Sequence, residues 1–232
     1  MSDQADGPRR TVHGRRRGRP LRKGRAAALE TTLPVNEIVL PAAGGQLDFA
    51  TLFGRRTDQT WLEIGFGGGE HLATLAARHR DVSFMGCEPF INGMASLLVS
   101  IERDGLDNVR ILMDDARLLL AALPDRSLDR VHILFPDPWP KKRHNRRRIV
   151  SPAVLDQLAR TMKPGAMLRL ATDHEDYGVW MLRHLLDRPE FRWTATRADD
   201  WRVRPAEEPE TRYEAKALAK GLKPIYLTFL RR

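Results

Sequence analysis

The chain has 232 residues, a formal net charge of +9 and a single cysteine, Cys87. This length suits one domain with a sizeable core, with or without a tail. A lone cysteine excludes an internal disulfide framework and suits a reducing compartment. No segment approaches the ~18 apolar residues that span a membrane, and the basic N-terminus lacks the apolar segment of a secretory signal. We therefore expect a cytoplasmic globular protein.

The positive charge is concentrated in two clusters. Residues 1–25 carry nine Arg or Lys against two Asp, and residues 141–148 carry six further cations. Two separate clusters on an otherwise slightly acidic chain favour a nucleic-acid partner, whose phosphates release counterions when they are neutralised. A membrane surface would attract the same charges, but neither cluster has the apolar face of an interfacial helix. Because residues 1–25 lack apolar periodicity, we predict a flexible arm followed by a single domain over residues 26–232.

From Thr60 onward, the hydrophobic pattern predicts alternating strands and helices. The predicted strands cover residues 60–64, 82–87, 109–112, 130–135 and 166–172. The predicted helices cover residues 69–78, 91–103, 116–123, 152–162 and about 174–186. Ser151 is the expected N-cap of the fourth helix, with Pro152 at its first position, and residues 163–165 are expected to end it. Two late strands are predicted at residues 191–196 and 225–230.

Strand–helix units of this kind predict an α/β fold, with a mostly parallel sheet and helices on both faces. The two late strands predict an antiparallel hairpin at one edge. Ligands of such sheets bind beyond the carboxyl ends of the strands. This rule selects the loops that follow Ile64, Cys87, Leu112, Phe135 and Ala171, each of which carries an acid or a glycine cluster.

The first of these loops contains four closely spaced glycines, at positions 65, 67, 68 and 69. Gly65 and Gly67 allow a tight turn and the close approach of a ligand, although a plain strand–helix turn would use them in the same way. A dinucleotide fingerprint needs a further glycine where this chain has Glu70, and a carboxylate there repels a pyrophosphate. NAD is therefore disfavoured. S-adenosyl-L-methionine, a nucleoside cofactor without phosphate, tolerates the acid.

Acidic residues lie at the ends of three successive predicted strands. Glu63 is in the first strand, Glu88 follows the second and Asp115 follows the third. An acid at the position of Glu88 commonly accepts from ribose hydroxyls, and Asp115 is placed to accept from an adenine amino group. A surface position for Glu88 and helix capping for Asp115 are the alternatives. Three such acids with no basic residue among them favour a cationic nucleoside.

The most specific segment is residues 135–148, FPDPWPKKRHNRRR. Three prolines stiffen a loop that carries Asp137 and Trp139, because each proline fixes φ and removes a donor. The cations follow directly. A rigid loop that bears an acid and adjoins a polycation predicts chemistry on a polyanion.

Four motifs resemble, in order, those of the bacterial tRNA (guanine-N7-)-methyltransferases of the TrmB type. They are LEIGFG-x-G at 62–69, FPDPWPKKRH at 135–144, ATD at 171–173 and TRYE at 211–214. The likeness covers about residues 20–232. Residues 18–24 match the family's basic arm loosely, and residues 1–14 are additional. The proline-rich motif is highly specific, whereas the glycine motif is generic to class I methyltransferases.

The resemblance implies a Rossmann-like class I methyltransferase that transfers a methyl group from S-adenosyl-L-methionine to N7 of a guanosine in the tRNA variable loop. The nominal catalytic residue is Asp137. Together with the residue patterns, the resemblance implies a cofactor site of Glu63, Gly65, Gly67, Glu88, Asp115 and Asp137. It implies substrate contacts of Lys141, Asp173, Thr211, Arg212, Tyr213 and Glu214. With scattered histidines and one cysteine, we expect no metal site, and no obligate protein partner is evident.

Several of these residues have a second interpretation. Asp173 is also a candidate N-cap of the following helix. Thr211 and Glu214 are a candidate capping box for a short helix at 214–219. Trp139 is placed either to stack on a flipped guanine or to cap the core. The cations from 141 to 148, with His144, are expected to contact phosphates.

Guanine N7 presents a lone pair and carries no proton, so its methylation needs no general base. Asp137 is therefore expected to position groups by electrostatics rather than to remove a proton. Two other functions fit the same sequence. One is a class I methyltransferase that acts on another RNA or on a protein amine. The other is a non-catalytic RNA-binding relative.

Overall fold

The computed structural model describes residues 13–42, 44–55 and 58–232. Its strands are β1 (Thr60–Ile64), β2 (Ser83–Cys87), β3 (Val109–Leu112), β4 (Leu128–Leu134), β5 (Met162–Thr172), β6 (Phe191–Trp193) and β7 (Ile225–Arg231). They form one sheet in the order β3-β2-β1-β4-β5-β7-β6. The first five strands of this order pair in parallel. Strand β7 is antiparallel to both β5 and β6, which confirms the predicted mixed sheet.

Helices of the described chain cover both faces of the sheet. They are α1 (Lys23–Thr31), α2 (Leu33–Asn36), α3 (Phe49–Phe53), α4 (Glu70–Arg78), α5 (Ile91–Asp104), α6 (Ala116–Ala122), α7 (Pro152–Thr161), α8 (Glu175–Leu186), α9 (Asp199–Arg202) and α10 (Arg212–Leu218). Neighbouring strand residues point to opposite faces. Trp61 and Phe84 accordingly enter a core layer with α4 and α5, while Leu62 and Met85 enter a second layer with α6, α7 and α8.

The central elements lie within two residues of their predicted bounds, and three differences stand out. Strand β5 begins at Met162 rather than at residue 166, and residues 163–165 form an irregular part of the strand, where the register with β4 shifts and Gly165 has a φ of +82°. Strand β6 is half as long as predicted. Helices α1 to α3 were not predicted. Helix α1 buries only Ala28, so its sequence carries little of the periodicity that identifies a helix.

The predicted N-terminal arm is described only from residue 13 onward, and residues 1–12 lie outside the described residues. The predicted boundary after residue 25 falls inside helix α1. Among the helices that the structure describes, none combines the length and the apolar character needed to cross a bilayer.

Candidate active site

A cleft of about 350 Å³ opens at the carboxyl ends of β1 to β4. This is the edge that the strand-order rule selects. Of the predicted residues, the cleft is lined by Gly65, Gly67, Glu88, Asp115, Asp137 and Tyr213. The other predicted residues do not line it: Glu63, Lys141, Asp173, Thr211, Arg212 and Glu214. Three arm residues that the sequence did not single out also line it, namely His13, Gly14 and Arg15.

Glu88 fastens the glycine turn to the end of β2. Its Oε2 accepts from the Gly67 N–H at 2.8 Å, and its Oε1 accepts from the Phe90 N–H at 2.9 Å. Glu88 is 8% exposed, so the surface alternative is wrong, and burial raises the pKa of this carboxyl. Gly67 has a φ of +57°. A side chain at Gly93 would approach the Gly67 carbonyl to 2.0 Å, so two glycines let α5 start against the turn.

Asp115 caps the following helix, as one alternative predicted, and its contact with adenine stays a prediction. Asp115 is buried in the cleft wall, and its Oδ1 caps α6 by accepting from the Arg117 N–H at 3.0 Å. The Arg117 guanidinium also pairs with it at 3.1 Å. The cleft also contains basic residues that the three strand-end positions did not indicate, since Arg15, Arg117 and Arg147 all line it.

Asp137 lies exposed at the mouth of the cleft. Partial desolvation there raises the pKa of its carboxyl. The loop that carries it is bounded by two residues with unusual backbone, Phe135 (φ +50°) and Trp139 (φ +44°). Such conformations cost about 1–3 kcal/mol each and persist where the surroundings hold them, often at functional sites.

Trp139 lies at the rim of the cleft and belongs to neither core layer. The Arg147 guanidinium lies 4.9 Å from its ring centroid. His144 and His13 approach it edge-on, with centroids at 6.1 and 6.4 Å. Of the two interpretations, core capping is therefore wrong, and stacking on a base stays a prediction.

The basic segment forms a short 3-10 helix, Lys142–Arg147. Lys141, Lys142, Arg143 and Arg146 are exposed, as a phosphate-contacting surface requires. Arg148 is 0% exposed. The expectation that every cation up to residue 148 faces RNA is therefore wrong for Arg148.

His144 provides a direct test of the charge in this segment. Desolvation and the charges of Arg147, Arg143, Lys141 and Arg146 lower the pKa of its imidazole. We expect its ring protons to titrate below pH 6.5, the ordinary value, in an NMR titration assigned with His144→Gln. Bound phosphates would neutralise the cations and raise this midpoint, as would added salt. A midpoint that does not respond to tRNA would place the phosphates elsewhere.

The described part of the arm is held against α5 through Asn92. Its Oδ1 accepts from the Gly18 N–H at 2.8 Å, and its Nδ2 donates to the Arg19 carbonyl at 2.8 Å. The Ile91 N–H also donates to the Arg16 carbonyl at 3.0 Å. These bonds place His13 to Arg15 along the cleft.

We expect Asn92→Ala to release this segment. Two hydrogen bonds at about 1 kcal/mol each correspond to roughly a thirtyfold change in a local opening equilibrium. The measurement is the rate of trypsin cleavage after Arg15, Arg16 and Arg17. Asn92→Asp keeps the acceptor and loses the donor, so it should give an intermediate rate. An unchanged rate in the alanine variant would show that Asn92 does not hold the segment.

In the C-terminal motif, Thr211 caps α10 by accepting from the Glu214 N–H at 3.0 Å. The Glu214 carboxylate does not complete a capping box. It is buried and accepts from the Tyr226 hydroxyl at 2.7 Å and from Arg204 Nε at 2.9 Å. Helix α10 starts two residues before the predicted helix. Thr211 and Glu214 are buried and hydrogen-bonded within the protein rather than exposed on its surface.

The exposed residues of that motif lie over the glycine turn. The Arg212 N–H donates to Glu70 Oε1 at 3.1 Å. Tyr213 is 42% exposed, and its ring would lie 2.9 Å from a Cβ at Gly67. The C-terminal motif and the glycine turn thus meet at one wall of the cleft.

Asp173 is exposed after β5 and does not cap α8. The N-cap is His174, whose N–H donates to Thr172 Oγ1 at 3.2 Å. The capping alternative is wrong, and the Asp173 carboxylate has no hydrogen-bond partner among the residues that the structure describes.

Glu63 lies behind the cleft wall in a buried ion-pair network. Its Oε2 accepts from His71 Nδ1 at 2.8 Å, and His71 Nε2 lies 2.9 Å from Glu208. Glu208 also pairs with Arg169 at 2.9 Å. Burial lowers the pKa of His71, but the Glu63 and Glu208 carboxylates outweigh it and raise the pKa to about 10. Glu63 thus holds an imidazolium, and its predicted cofactor contact stays a prediction.

Two histidines that are far apart in sequence meet in this network, contrary to the expectation of scattered histidines. Donor atoms of His71, His132 and Glu208 lie within 4.8 Å of one another. Both nitrogens of His71 already face carboxylates, and Arg169 occupies the same side of Glu208. A metal ion would have to displace these charges, so the arrangement suits an ion-pair network better than a metal centre.

Comparisons with known proteins agree on the family. A family model described as "Putative methyltransferase" matches residues 57–227. A tRNA (guanine-N(7)-)-methyltransferase of Rhodospirillum rubrum is 51% identical over 95% of this chain and 87% of that protein. Proteins of the same name from Azorhizobium caulinodans and Mesorhizobium japonicum are 50% and 47% identical, covering 94% and 100% of both chains.

Solved structures with a similar fold are much more distant in sequence. The 16S rRNA methyltransferase KamB superposes with a TM-score of 0.58 at 17% identity, over 84% of this chain and 99% of that chain. The Streptococcus mutans protein SMU.1697c, in complex with SAH, has a TM-score of 0.50 at 10% identity, over 76% of this chain and 90% of that chain. At these identities the likeness establishes the fold alone.

Proposed function

The chain belongs to the tRNA (guanine-N(7)-)-methyltransferase family, and we propose that it transfers a methyl group from S-adenosyl-L-methionine to N7 of a guanosine in the tRNA variable loop. The observation that carries the proposal is the position of Asp137. It stands at the seam between a cleft walled by acids and an exposed run of cations. Methyl transfer to a base in RNA needs a cofactor pocket next to a surface that binds the RNA phosphates, so that the base reaches the methyl group.

The cleft suits a cofactor without phosphate. The backbone of the glycine turn is held open against α5 by Gly67 and Gly93, and the side chains at the ends of β2, β3 and β4 supply the carboxylates of Glu88, Asp115 and Asp137. Glu88 and Asp115 would hold the ribose and adenine ends, and Asp137 the methionine end. When bound, the cofactor supplies an electrophilic methyl group on a sulfonium. Glu63 would contribute through its place under the glycine turn.

The reaction asks the protein for alignment and charge. N7 attacks with its own lone pair and leaves the ring cationic, so a fixed carboxylate stabilises the charge that develops. Asp137 is held beside that position by its proline-stiffened loop. Trp139, at the rim, is placed to stack on the guanine once it leaves the RNA stack.

The substrate surface surrounds this seam. Lys141 and the exposed cations of the 3-10 helix would bind phosphates, and each neutralised phosphate adds salt-dependent affinity. Asp173 follows β5, and Tyr213 of the motif from Thr211 to Glu214 lines the cleft together with the arm. We propose that Asp173 accepts from the guanine edge, since its carboxylate is exposed and unoccupied by the helix that follows.

The cell compartment forms part of the same proposal. A cytoplasmic location places the protein with tRNA, and the one cysteine, Cys87, is free and buried. Burial raises the pKa of its thiol well above the ordinary value, so it is unreactive. No metal and no further protein subunit is required by the proposed chemistry.

The test is a methyl-transfer assay with labelled S-adenosyl-L-methionine and unmethylated bulk tRNA, followed by nuclease digestion. We expect label in 7-methylguanosine, and in a position mapped to the variable loop. Label in another nucleoside, or in protein, would redirect the proposal to a different substrate. Binding of tRNA without any transfer and without cofactor binding in calorimetry would leave only an RNA-binding relative.

A further inference from the structure

Arg148 differs from the other cations of the basic segment in its surroundings. It is fully buried, whereas Arg146 is exposed two residues earlier. A buried guanidinium keeps its charge and must find partners inside the protein. It is therefore a component of the fold rather than of the RNA-facing surface.

The partners of Arg148 come from two different loops of the site. Its Nε donates to the Pro138 carbonyl at 2.9 Å, and its guanidinium pairs with the Asp176 carboxylate. The planar group lies over the rings of Tyr177 and Trp180, at 4.7 and 5.0 Å from their centroids. One side chain thus connects the Asp137 loop to the first turns of α8.

The segment that follows Arg148 is also hydrogen-bonded to α8. Trp180 Nε1 donates to the Val150 carbonyl at 2.8 Å, and the Val150 N–H donates to the Tyr177 hydroxyl at 3.3 Å. The aromatic floor under the guanidinium is therefore itself fixed to the segment that carries it. Arg148 has little freedom to leave this position.

The connection matters because the loop before it is strained. Phe135 and Trp139 both have positive φ, and Pro136, Pro138 and Pro140 supply no N–H to hold the loop. The Phe135 N–H donates to the Ala171 carbonyl at 2.8 Å, which fixes the start of the loop. The bond from Arg148 to Pro138 fixes its middle, one residue after Asp137.

We propose that Arg148 is a positioning residue: it clamps the Pro136–Pro138 loop to the start of α8 and thereby sets the distance between Asp137 and Asp173. The inference rests on the proposed function, in which these two acids face the cofactor and the guanine. Lysine cannot replace this clamp, since an ammonium is a point charge and lacks the planar fork that bonds a carbonyl and a carboxylate while stacking on two rings.

The experiment compares Arg148→Lys with Arg146→Met in steady-state kinetics. A misplacement of reacting groups by about 1 Å costs on the order of a hundredfold in rate. We therefore expect Arg148→Lys to lower kcat tenfold to about a hundredfold, with KM for tRNA and the salt dependence of tRNA binding near wild type. Arg146→Met should do the reverse: it should raise KM and reduce the salt slope by about 1, with kcat retained.

A second measurement does not depend on activity. Hydrogen–deuterium exchange in the free protein should become faster across residues 135–150 in Arg148→Lys and stay unchanged there in Arg146→Met. If no variant or wild-type protein transfers methyl groups, the proposed function fails while the exchange result still tests the clamp. The two failures are thus distinguishable.

Asp176→Asn covers the case in which Arg148→Lys does not fold, because the Asp176 side chain is 65% exposed and its loss removes one partner only. It should give the same pattern with a smaller fall in kcat. Normal kcat and normal exchange in the folded variants would overturn the proposal. So would a lowered salt slope in Arg148→Lys, which would make Arg148 a phosphate contact.

Discussion

Asp137→Ala is expected to lower kcat by about 10²–10³-fold, the range seen when one preorganised electrostatic group is removed from an active site. The carboxylate lies at the cleft mouth and is exposed, so the fold should survive. Asp137→Asn keeps the shape and one acceptor but removes the charge. We expect its rate to lie between those of wild type and Asp137→Ala, and the size of the gap measures the part due to charge.

The pH dependence separates this role from that of a general base. Desolvation raises the pKa of Asp137 above 3.8, its ordinary value. The rate should therefore fall as acid protonates the carboxylate, with a midpoint above 3.8. This acid limb should vanish in Asp137→Asn. Circular dichroism of each variant controls for folding, and a wild-type rate in Asp137→Asn would remove the charge from the mechanism.

Glu208→Gln is expected to destabilise the protein by about 3 kcal/mol, because it leaves His71 and Arg169 buried without their shared carboxylate. For a chain of this size that lowers Tm by roughly 6–12 °C. Differential scanning calorimetry at neutral pH measures it. The neighbouring Glu207 pairs with the same arginine but is 57% exposed. Glu207→Gln should cost under about 1 kcal/mol, and equal losses would show that burial is not the cause.

The difference between wild type and Glu208→Gln should depend on pH in a defined direction. The pKa of His71 is raised to about 10 by its carboxylate partners, so its contribution is complete below 6.5 and disappears as pH rises through about 10. Although burial opposes it, His132, His71 and Arg169 lower the pKa of Glu208, so that contribution is complete above 4.5 and is lost in acid. The difference in Tm should therefore be largest near neutral pH.

Most of the residues that line the cleft from the strand ends could be predicted from the sequence, because a topological rule relates the order of parallel strands to the position of the loops that follow them. Residues after successive parallel strands must meet at one edge, which brought Gly67, Glu88, Asp115 and Asp137 together although up to 70 residues separate them. The sequence did not predict in the same way which of these side chains face the cleft and which are buried behind it. Glu63 belongs to the same pattern of acids, yet its strand position turns it toward a histidine on α4.

The buried ion-pair network could not be predicted from the sequence, because its members are far apart in the chain and none of them belongs to a recognisable motif. Glu208 lies in a polar loop 137 residues after His71, and no local pattern marks either one. Arg148 resembles its neighbours in composition and differs from them only in contacts. The sequence of α8 does indicate that an arginine could be buried against it. Asp176, Tyr177 and Trp180 lie close together at the start of this helix, and an acid beside two aromatic rings suits a guanidinium.

Under the proposed function, the wall shared by Tyr213 and Gly67 would link cofactor binding and RNA binding thermodynamically. Any shift of the Tyr213 ring on association with RNA changes the free energy of the site beneath it. By reciprocity, the occupant of that site changes RNA affinity by the same factor. A molecule that fills the cleft and pushes against this ring would therefore act as an effector of RNA affinity as well as a competitor for the cleft.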